Sequence, residues 1–288
     1  MSKKILLAGG CSYTDKEFTS VFKNSPEKYK NPTKMWPEHI SEILDLEYMN
    51  VGRCGADNYA IYNNLLEAIL TYGERIDTVM VLWTGWDRYL FMHEYSICFS
   101  HNMFQVALND KNLNKTSLIE TMMNVIQNDM FVPSRNLTNQ IRNSLFLMYS
   151  LAKICESKNI KYLFFQGINP LLRQQWYNLF RRLVDEHGFP KRLPSDVAYN
   201  FDIKKSLLKA PVFPHLEKRK SHIIGWPFAT DLGGYSVDEH RNTFGGHFKQ
   251  GYPDLNRYYV SESDRHPSEE GQEIISRYFI ERYEELYR

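Results

Sequence analysis

The fold is decided by residues 3–14, which read KKILLAGGCSYT. A short apolar run that stops at two glycines is typical of a parallel strand buried on both faces. The glycines permit a tight turn where the strand ends. Ser12 then follows the carboxyl edge of the strand, where open α/β sheets bind their ligands. We take Ser12 as a candidate nucleophile; the alternative interpretation is a plain turn whose hydroxyl caps a helix.

Strand-like and helix-like segments alternate along the rest of the chain. Further strands are predicted at 46–51, 77–83, 160–166 and 221–226. Helical spacing of apolar residues predicts helices that begin at Trp36, shortly after Asn58, and at about 134, 170 and 267. This alternation predicts an α/β fold: a three-layer α/β/α, doubly wound, mainly parallel sheet of the flavodoxin-like type. We expect a single domain over 1–288, with helical and loop insertions at about 89–133 and 189–259.

Two helices have a readable apolar face. In the helix from Trp36 we expect the buried face to consist of Ile40, Ile43 and Leu44. In the last helix the apolar stripe is Ile274, Ile275, Tyr278, Phe279 and Tyr283, and the residues expected to face water are Glu273, Arg277, Glu281 and Glu284.

Composition excludes several classes of function. The formal net charge of +1 over 288 residues gives no general basic field, so we expect no nucleic-acid partner. The four cysteines form no C-x-x-C pair, which argues against a zinc site or a disulfide scaffold. His240 and His247 are two loop histidines, too few for a metal site. No signal-peptide core or membrane span is apparent, so a cytoplasmic location is expected.

Polar residues follow the predicted strands at points that would meet at one sheet edge. Ser12 follows the first strand, Gly55 the second, and residues 84–87 the third, while His266 lies in the loop before the last helix. A serine hydroxyl is a weak nucleophile that needs a neighbouring base, an acceptor that orients the base, and donors for the oxyanion. This chain offers candidates for each task.

These blocks together resemble the SGNH (GDSL-type) hydrolase superfamily. Gly10-Cys11-Ser12 stands in the place of its Gly-Asp-Ser block, and Asn50-x-x-x-x-Gly55 is similar to its second block. Thr84-Gly85-Trp86-Asp87 and Asp264-Arg265-His266-Pro267 stand where the family has Gly-x-Asn-Asp and Asp-x-x-His-Pro.

The resemblance implies an esterase or deacylase that acts on short acyl esters or acetylated sugars. The resemblance also implies that such an enzyme would need no metal and no organic cofactor. Ser12 would be the nucleophile, His266 the general base, and Asp264 the acid that orients the imidazole. The amides of Ser12 and Gly55 would bind the oxyanion. We expect Tyr13 and Asp87 to contact the substrate, and Trp86 either to face the substrate or to pack as a buried aromatic residue.

The chain departs from the family pattern at three places. Cys11 replaces the acid beside the serine, which also makes Cys11 an alternative nucleophile. Trp86 stands at the Asn position and has one N–H donor instead of two, so Thr84 and Asn58 become candidates for the third donor. The acid precedes His266 by two residues instead of three, which leaves Glu262 or a backbone carbonyl as alternatives to Asp264.

These departures support a second hypothesis. The chain would be a binding or assembly module that has kept the fold and lost efficient catalysis. A nucleotide-binding protein of flavodoxin type is disfavoured, because the first turn has neither G-x-G-x-x-G nor the P-loop pattern. The sequence leaves the oligomeric state open.

Overall fold

The computed structural model describes residues 3–18, 34–86, 89–91, 97–99, 137–168, 207–228, 232–237, 258, 260 and 266–288. Most of the two predicted insertions and the helix predicted from about 170 lie outside these residues. The single-domain organisation therefore stays a prediction.

Seven strands and five α-helices are present in this part of the chain. The strands are β1 (Ile5–Gly10), β2 (Glu47–Asn50), β3 (Ile76–Trp83), β4 (Tyr89–Phe91), β5 (Ile97–Phe99), β6 (Lys161–Gln166) and β7 (Ile223–Ile224). The helices are α1 (Trp36–Leu44), α2 (Asn58–Tyr72), α3 (Leu137–Ser157), α4 (Phe213–Glu217) and α5 (Glu269–Tyr287). Single 3₁₀ turns occupy Gly73–Arg75 and Lys220–His222.

Five strands form one parallel sheet in the order β2-β1-β3-β6-β7. The chain leaves β1 for β2 on one side, then crosses back over β1 to reach β3 on the other side. The strand order therefore reverses at β1, and the carboxyl end of β1 is the switch point where such sheets bind ligands. The prediction of a doubly wound, three-layer α/β/α fold is confirmed.

Alternate strand residues divide the core into two layers. Leu7 of β1 and Val81 of β3 face the layer that contains buried residues of α2, α3 and α4. Leu6 and Met80 face the layer that contains α1 and α5. This two-residue period is expected of strands buried on both faces, and it explains why the strands are almost continuously apolar in sequence.

The predicted face of α1 needs correction at one residue. Ile43 is 54% exposed, whereas Trp36, Pro37, Ile40 and Ser41 are buried. At 3.6 residues per turn, Ile43 lies about a quarter-turn from the centre of that buried face. Leu44, which is nearer its centre, packs against the core as predicted.

Helix α5 agrees with its prediction more closely. Ile275, Phe279 and Tyr283 are buried, Ile274 and Tyr278 are half-buried, and the four predicted water-facing residues are exposed. The Ser268 hydroxyl caps the helix by accepting a hydrogen bond from the Gly271 amide at 3.2 Å.

Two strand predictions were incomplete. Strands β4 and β5 pair antiparallel within a segment where no strand was expected. Each has three residues, too few for an alternating pattern to stand out. Strand β7 has two residues, far fewer than the predicted 221–226. No helix in the described part of the chain is long and apolar enough to cross a bilayer.

Candidate active site

A tight turn after β1 presents Ser12. The amides of Thr14 and Asp15 both donate to the carbonyl of Cys11, at 2.8 and 3.1 Å. A Cβ on Gly10 would lie 2.1 Å from the Thr14 hydroxyl oxygen, so any larger residue at this position would force the turn to shift. Ser12 is therefore held in a fixed position at the switch point of the sheet, with little of its surface exposed.

The loop after β2 is fastened to this turn. Gly55, in the same loop, has a φ of 80°, a left-handed conformation that favours glycine. The last residue of β2 and the loop after it make four hydrogen bonds to the first strand and its turn: Asn50 Nδ2 to Thr14 O at 2.6 Å, Val51 N to Ala8 O at 2.9 Å, Arg53 N to Gly10 O at 3.1 Å, and Cys54 N to Asp15 Oδ2 at 2.7 Å.

His266 meets Ser12 across the carboxyl edge of the sheet. The Nε2 atom of His266 lies 2.9 Å from the Ser12 hydroxyl oxygen, although 254 positions separate the two residues in sequence. The main chain of His266 is held by the Val260 amide, which donates to the His266 carbonyl at 3.0 Å. A hydroxyl and an imidazole at this separation can exchange a proton directly.

Two aromatic rings enclose the imidazole of His266. Phe18 stacks on it, with ring centroids 4.0 Å apart and planes at 27°. Tyr13 approaches edge-on, with centroids 5.5 Å apart and planes at 75°. Tyr13 is buried, and its ring supports the imidazole; its contact with a substrate stays a prediction.

A buried glutamine connects three elements beneath the site. The Gln272 side chain in α5 accepts a hydrogen bond from the Trp36 amide and donates one to the Tyr13 carbonyl, both at 3.1 Å. The Trp36 indole in turn donates to the Thr14 hydroxyl at 3.1 Å. The nucleophile turn is thereby tied to α1 and to the helix that follows His266.

Sequence reasoning missed both Gln272 and Phe18. Gln272 had a readable signal, because it lies three residues before Ile275 on the apolar stripe of α5, where a polar side chain is buried. Phe18 had none, since it lies in a polar segment without periodicity.

Asn58 was predicted as a candidate oxyanion donor, but in the structure its side chain binds the main chain of Thr84 and the Ser144 hydroxyl. Its Oδ1 accepts from the Thr84 amide at 3.0 Å, while its Nδ2 donates to the Thr84 carbonyl at 3.3 Å and to the Ser144 hydroxyl at 3.0 Å. Both Nδ2 hydrogens are therefore used inside the protein. Asn58 fixes the main chain that follows β3 and so positions Thr84, whose own hydroxyl is buried without a hydrogen-bond partner among the described residues.

Solved structures similar to this chain include two acetylxylan esterases. Axe2 of Geobacillus stearothermophilus is 14% identical, with 97% of this chain and 93% of that chain covered and a TM-score of 0.42. The acetyl xylan esterase AlAXEase is 10% identical, with coverages of 96% and 98% and a TM-score of 0.40. A protein from Parabacteroides merdae described as a GDSL-like lipase is 12% identical, with coverages of 97% and 95% and a TM-score of 0.40.

At these identities the similarity concerns the fold alone and assigns no residue a role. No protein-family model matches the chain, and no curated protein matches it.

Trp86, at the position of the Asn in GDSL-type hydrolases, is a packing residue. Its side chain is 2% exposed, and its ring meets Phe228 edge-on with centroids 6.2 Å apart. Of the two expectations for Trp86, its position in the core layer of α2 and α3 agrees with packing. Its indole N–H is buried and has no acceptor among the described residues.

Cys11 is less suited than Ser12 to be the nucleophile. Its side chain is fully buried in the core layer of α1 and α5, with its sulfur 4.0 Å from the Ser12 hydroxyl oxygen. The His266 ring nitrogen is directed to Ser12.

Several predicted residues lie outside the described part of the chain. Asp264 and Glu262, Asp87, and His240 and His247 are among them. Within the described ranges, no three His, Cys, Asp or Glu side chains are grouped so that they could hold a metal ion. The expectations about metal, cofactor and partners stay predictions.

Proposed function

We propose that this protein is a serine ester hydrolase in which Ser12 is the nucleophile and His266 the general base. The observation that carries the proposal is the 2.9 Å separation between the Ser12 hydroxyl oxygen and His266 Nε2. This pair lies at the switch point of a doubly wound sheet, where ligand sites are found.

In the first step Ser12 Oγ attacks the carbonyl carbon of the ester. The hydroxyl proton moves to Nε2 of His266, which accepts it when Nδ1 carries the ring proton. The tetrahedral intermediate then collapses, the bond from the carbonyl carbon to the alcohol oxygen breaks, and the alcohol leaves with the proton from Nε2. The acyl group remains on Ser12.

In the second step water attacks the acyl-serine ester and gives a proton to Nε2. Collapse breaks the bond to Ser12 Oγ, which takes the proton back from Nε2, and the carboxylic acid departs. The proposed oxyanion donors are the amides of Ser12 and Gly55, with Thr84 as the candidate for a third; each donor contributes about 3 kcal/mol to such a step.

Asp264 is the proposed acid that orients His266, with Glu262 or a backbone carbonyl as alternatives. The variants Asp264→Asn and Glu262→Gln separate these cases. The residue that orients the imidazole should lower kcat by roughly 10² to 10⁴ when its carboxylate is lost, and the other should have little effect. Equal, small effects of both variants would favour the backbone carbonyl.

The proposed substrate class is a short acyl ester, with an O-acetyl group on a carbohydrate as the first choice. Two proteins of similar structure are acetylxylan esterases, which supports this choice. The proposed reaction uses no metal and no organic cofactor.

The test is hydrolysis of p-nitrophenyl acetate and of acetylated xylo-oligosaccharides by the wild type and by Ser12→Ala and His266→Gln. We expect both variants to lose at least about 10³-fold in kcat/KM. Ser41→Ala, which removes another buried hydroxyl, is the matched control and should keep its activity. If the wild type and Ser12→Ala have equal rates, the proposal is wrong for that ester.

A second candidate is a binding or assembly module with weakened catalysis. The observation that favours it is the burial of Trp86 at the Asn position, together with the full use of the Asn58 amide inside the protein. Labelling of Ser12 by a fluorophosphonate probe supports the hydrolase. Tight binding of an acetylated oligosaccharide, without turnover or labelling, supports the module.

A further inference from the structure

We propose that Phe18 is a positioning residue that acts through His266. Its ring fixes the plane of the imidazole and stabilises the imidazolium that forms when Ser12 gives up its proton. This inference rests on the proposed function, in which His266 is the general base. It adds to the proposed site a residue that lies outside the four sequence blocks shared with the SGNH hydrolases.

The contact between the two rings is close. Their centroids are 4.0 Å apart, whereas aromatic pairs usually lie about 4.5 to 7 Å apart. With planes at 27°, the face of Phe18 covers the face of the imidazole. Tyr13 is edge-on to the same imidazole, so rotation out of the plane that directs Nε2 to Ser12 would meet one of the two rings.

Phe18 is buried, yet it belongs to neither of the two core layers of the described chain. Its ring contact in the described structure is His266. The Phe18 side chain is nonetheless only 9% exposed. This placement argues for a role in the site, in addition to any contribution to the stability of the fold.

The segment that carries Phe18 is anchored to its neighbours. The Phe18 amide donates to the Asp15 carbonyl at 3.3 Å, and the Asp15 side chain accepts from the Cys54 amide at 2.7 Å. Lys16 forms an ion pair with Glu38 of α1. Burial by itself would raise the pKa of Glu38, but the hydrogen bonds from Lys16, the Met35 amide and Tyr48 outweigh it and lower that pKa. The ring is therefore positioned before the reaction begins.

The face of a phenyl ring carries negative electrostatic potential and attracts a cation within about 6 Å of its centroid. During the proposed first step His266 changes from neutral imidazole to imidazolium while it remains against Phe18. The attraction is stronger for the cation, so it acts mainly on the transition state. Phe18 should therefore raise kcat and leave KM nearly unchanged.

The experiment replaces Phe18 with 4-fluoro-, 3,5-difluoro- and 3,4,5-trifluorophenylalanine. These residues keep the ring, and each added fluorine makes the electrostatic potential of its face less negative. We expect kcat for p-nitrophenyl acetate to fall stepwise with each fluorine at constant KM. Phe18→Leu should lower kcat by roughly 3- to 30-fold, whereas Phe18→Tyr, which keeps an aromatic ring, should retain most of the wild-type kcat. The same fluorinated residues at Phe146, which is exposed on α3, are the control and should leave kcat unchanged.

A second measurement does not depend on turnover. Proton NMR of the His266 ring, assigned with His266→Gln, should show an upfield ring-current shift that Phe18→Leu removes. If the shift is identical in the wild type and Phe18→Leu, the stack is absent and the inference is overturned. If the protein hydrolyses the ester but all fluorinated Phe18 variants have the same kcat, the inference about Phe18 is wrong and the proposed function stands. A shift without any turnover by the wild type overturns the proposed function, and the catalytic role of Phe18 with it.

Discussion

At the scale of single residues, the site depends on how closely the chain packs behind Ser12. Gly10 is the last residue of β1, and the Thr14 side chain fills the space where a Cβ would stand. Thr14 is itself fully buried and accepts a hydrogen bond from the Trp36 indole, so it has little freedom to move aside. The turn that presents Ser12 is consequently sensitive to one added methyl group.

Gly10→Ala tests this packing. The new Cβ would also lie 3.0 Å from the Leu82 carbonyl oxygen, which is main chain and cannot rotate away. We expect a loss of about 1 to 3 kcal/mol in the free energy of unfolding, measured by urea denaturation, and a fall in kcat of the proposed ester hydrolysis. Gly73→Ala is the control, because its nearest neighbour would be Lys158 Nζ at 3.9 Å. Equal stability of the two variants would contradict the packing argument.

Gln272 offers a second test at this scale. Gln272→Met keeps the length of the side chain and removes the hydrogen bonds that Gln272 makes with the Trp36 amide and the Tyr13 carbonyl. The Trp36 amide is buried, and the loss of a hydrogen bond to a buried polar group costs about 1 to 3 kcal/mol, so chemical denaturation should show a clear loss of stability. Glu273→Met, on the exposed side of α5, should change stability by no more than about 0.5 kcal/mol. A Gln272→Met variant as stable as the wild type would show that these bonds contribute nothing net.

At the scale of elements, an ion pair joins the end of α3 to the segment after α4. Arg219 donates to both carboxylate oxygens of Glu156, at 2.6 and 3.0 Å, and the Tyr162 hydroxyl donates to the same carboxylate at 3.1 Å. Hydrogen bonds from Arg219, supported by Lys153 and Tyr162, outweigh burial and lower the pKa of Glu156 to about 2. The charged carboxylate therefore stabilises the fold.

This pair predicts a pH dependence of stability. A carboxylate whose folded pKa lies below its ordinary value of 4.5 contributes fully above that value and loses its contribution as pH falls towards 2. Because both side chains are partly exposed, we expect Glu156→Gln to cost roughly 1 to 2 kcal/mol at pH 7. The difference from the wild type should shrink between about pH 5 and pH 2 in denaturation curves.

Glu284→Gln is the control for this measurement, because Glu284 pairs with Arg288 at the exposed end of α5. Its effect should be no more than about 1 kcal/mol at any pH. A Glu156→Gln effect that is equally large at pH 2 and pH 7 would contradict a charge-dependent role.

At the scale of the whole molecule, one sheet supports two core layers. Leu6 and Leu7 are adjacent on β1, fully buried, and face opposite layers. On β3, the adjacent residues Met80 and Val81 face opposite layers in the same way, so each layer is built on the same parallel strands. Loss of either layer should therefore unfold the other.

Leu6→Ala and Leu7→Ala test that coupling. Each variant should lower the free energy of unfolding by about 2 to 5 kcal/mol and keep a single transition, observed together by circular dichroism and tryptophan fluorescence. Leu70→Ala on α2 is the matched control, because Leu70 is 69% exposed and its loss should cost little. Two separate transitions in either core variant would show that the layers unfold independently.

Much of this architecture was readable in the sequence. The apolar runs that became β1, β3 and β6 stand out because both of their faces are buried, and the helices between them follow from apolar spacing. The position of Ser12 at the sheet edge was expected because it follows a parallel strand, and its meeting with His266 was expected from the resemblance to the SGNH hydrolases. The role of this pair in catalysis stays a proposal.

Other features were beyond sequence patterns. Asn58 was a plausible oxyanion donor until the structure paired its amide with the Thr84 main chain and Ser144. For Trp86 the sequence left substrate contact and packing open, and its burial depends on how α2, α3 and Phe228 surround it. Such outcomes depend on contacts between residues far apart in the chain, which no local period encodes.

The sequence by itself determined the alternation of strands and helices, because burial on both faces of a sheet requires continuous apolar runs and helical stripes. It also determined the order in which polar residues reach the sheet edge. Only the tertiary structure decided which side chains support them: Phe18 against the imidazole of His266, and Gln272 between the nucleophile turn and α1. The physical reason is that periodicity records whether a residue is buried, whereas packing in three dimensions decides what it is buried against.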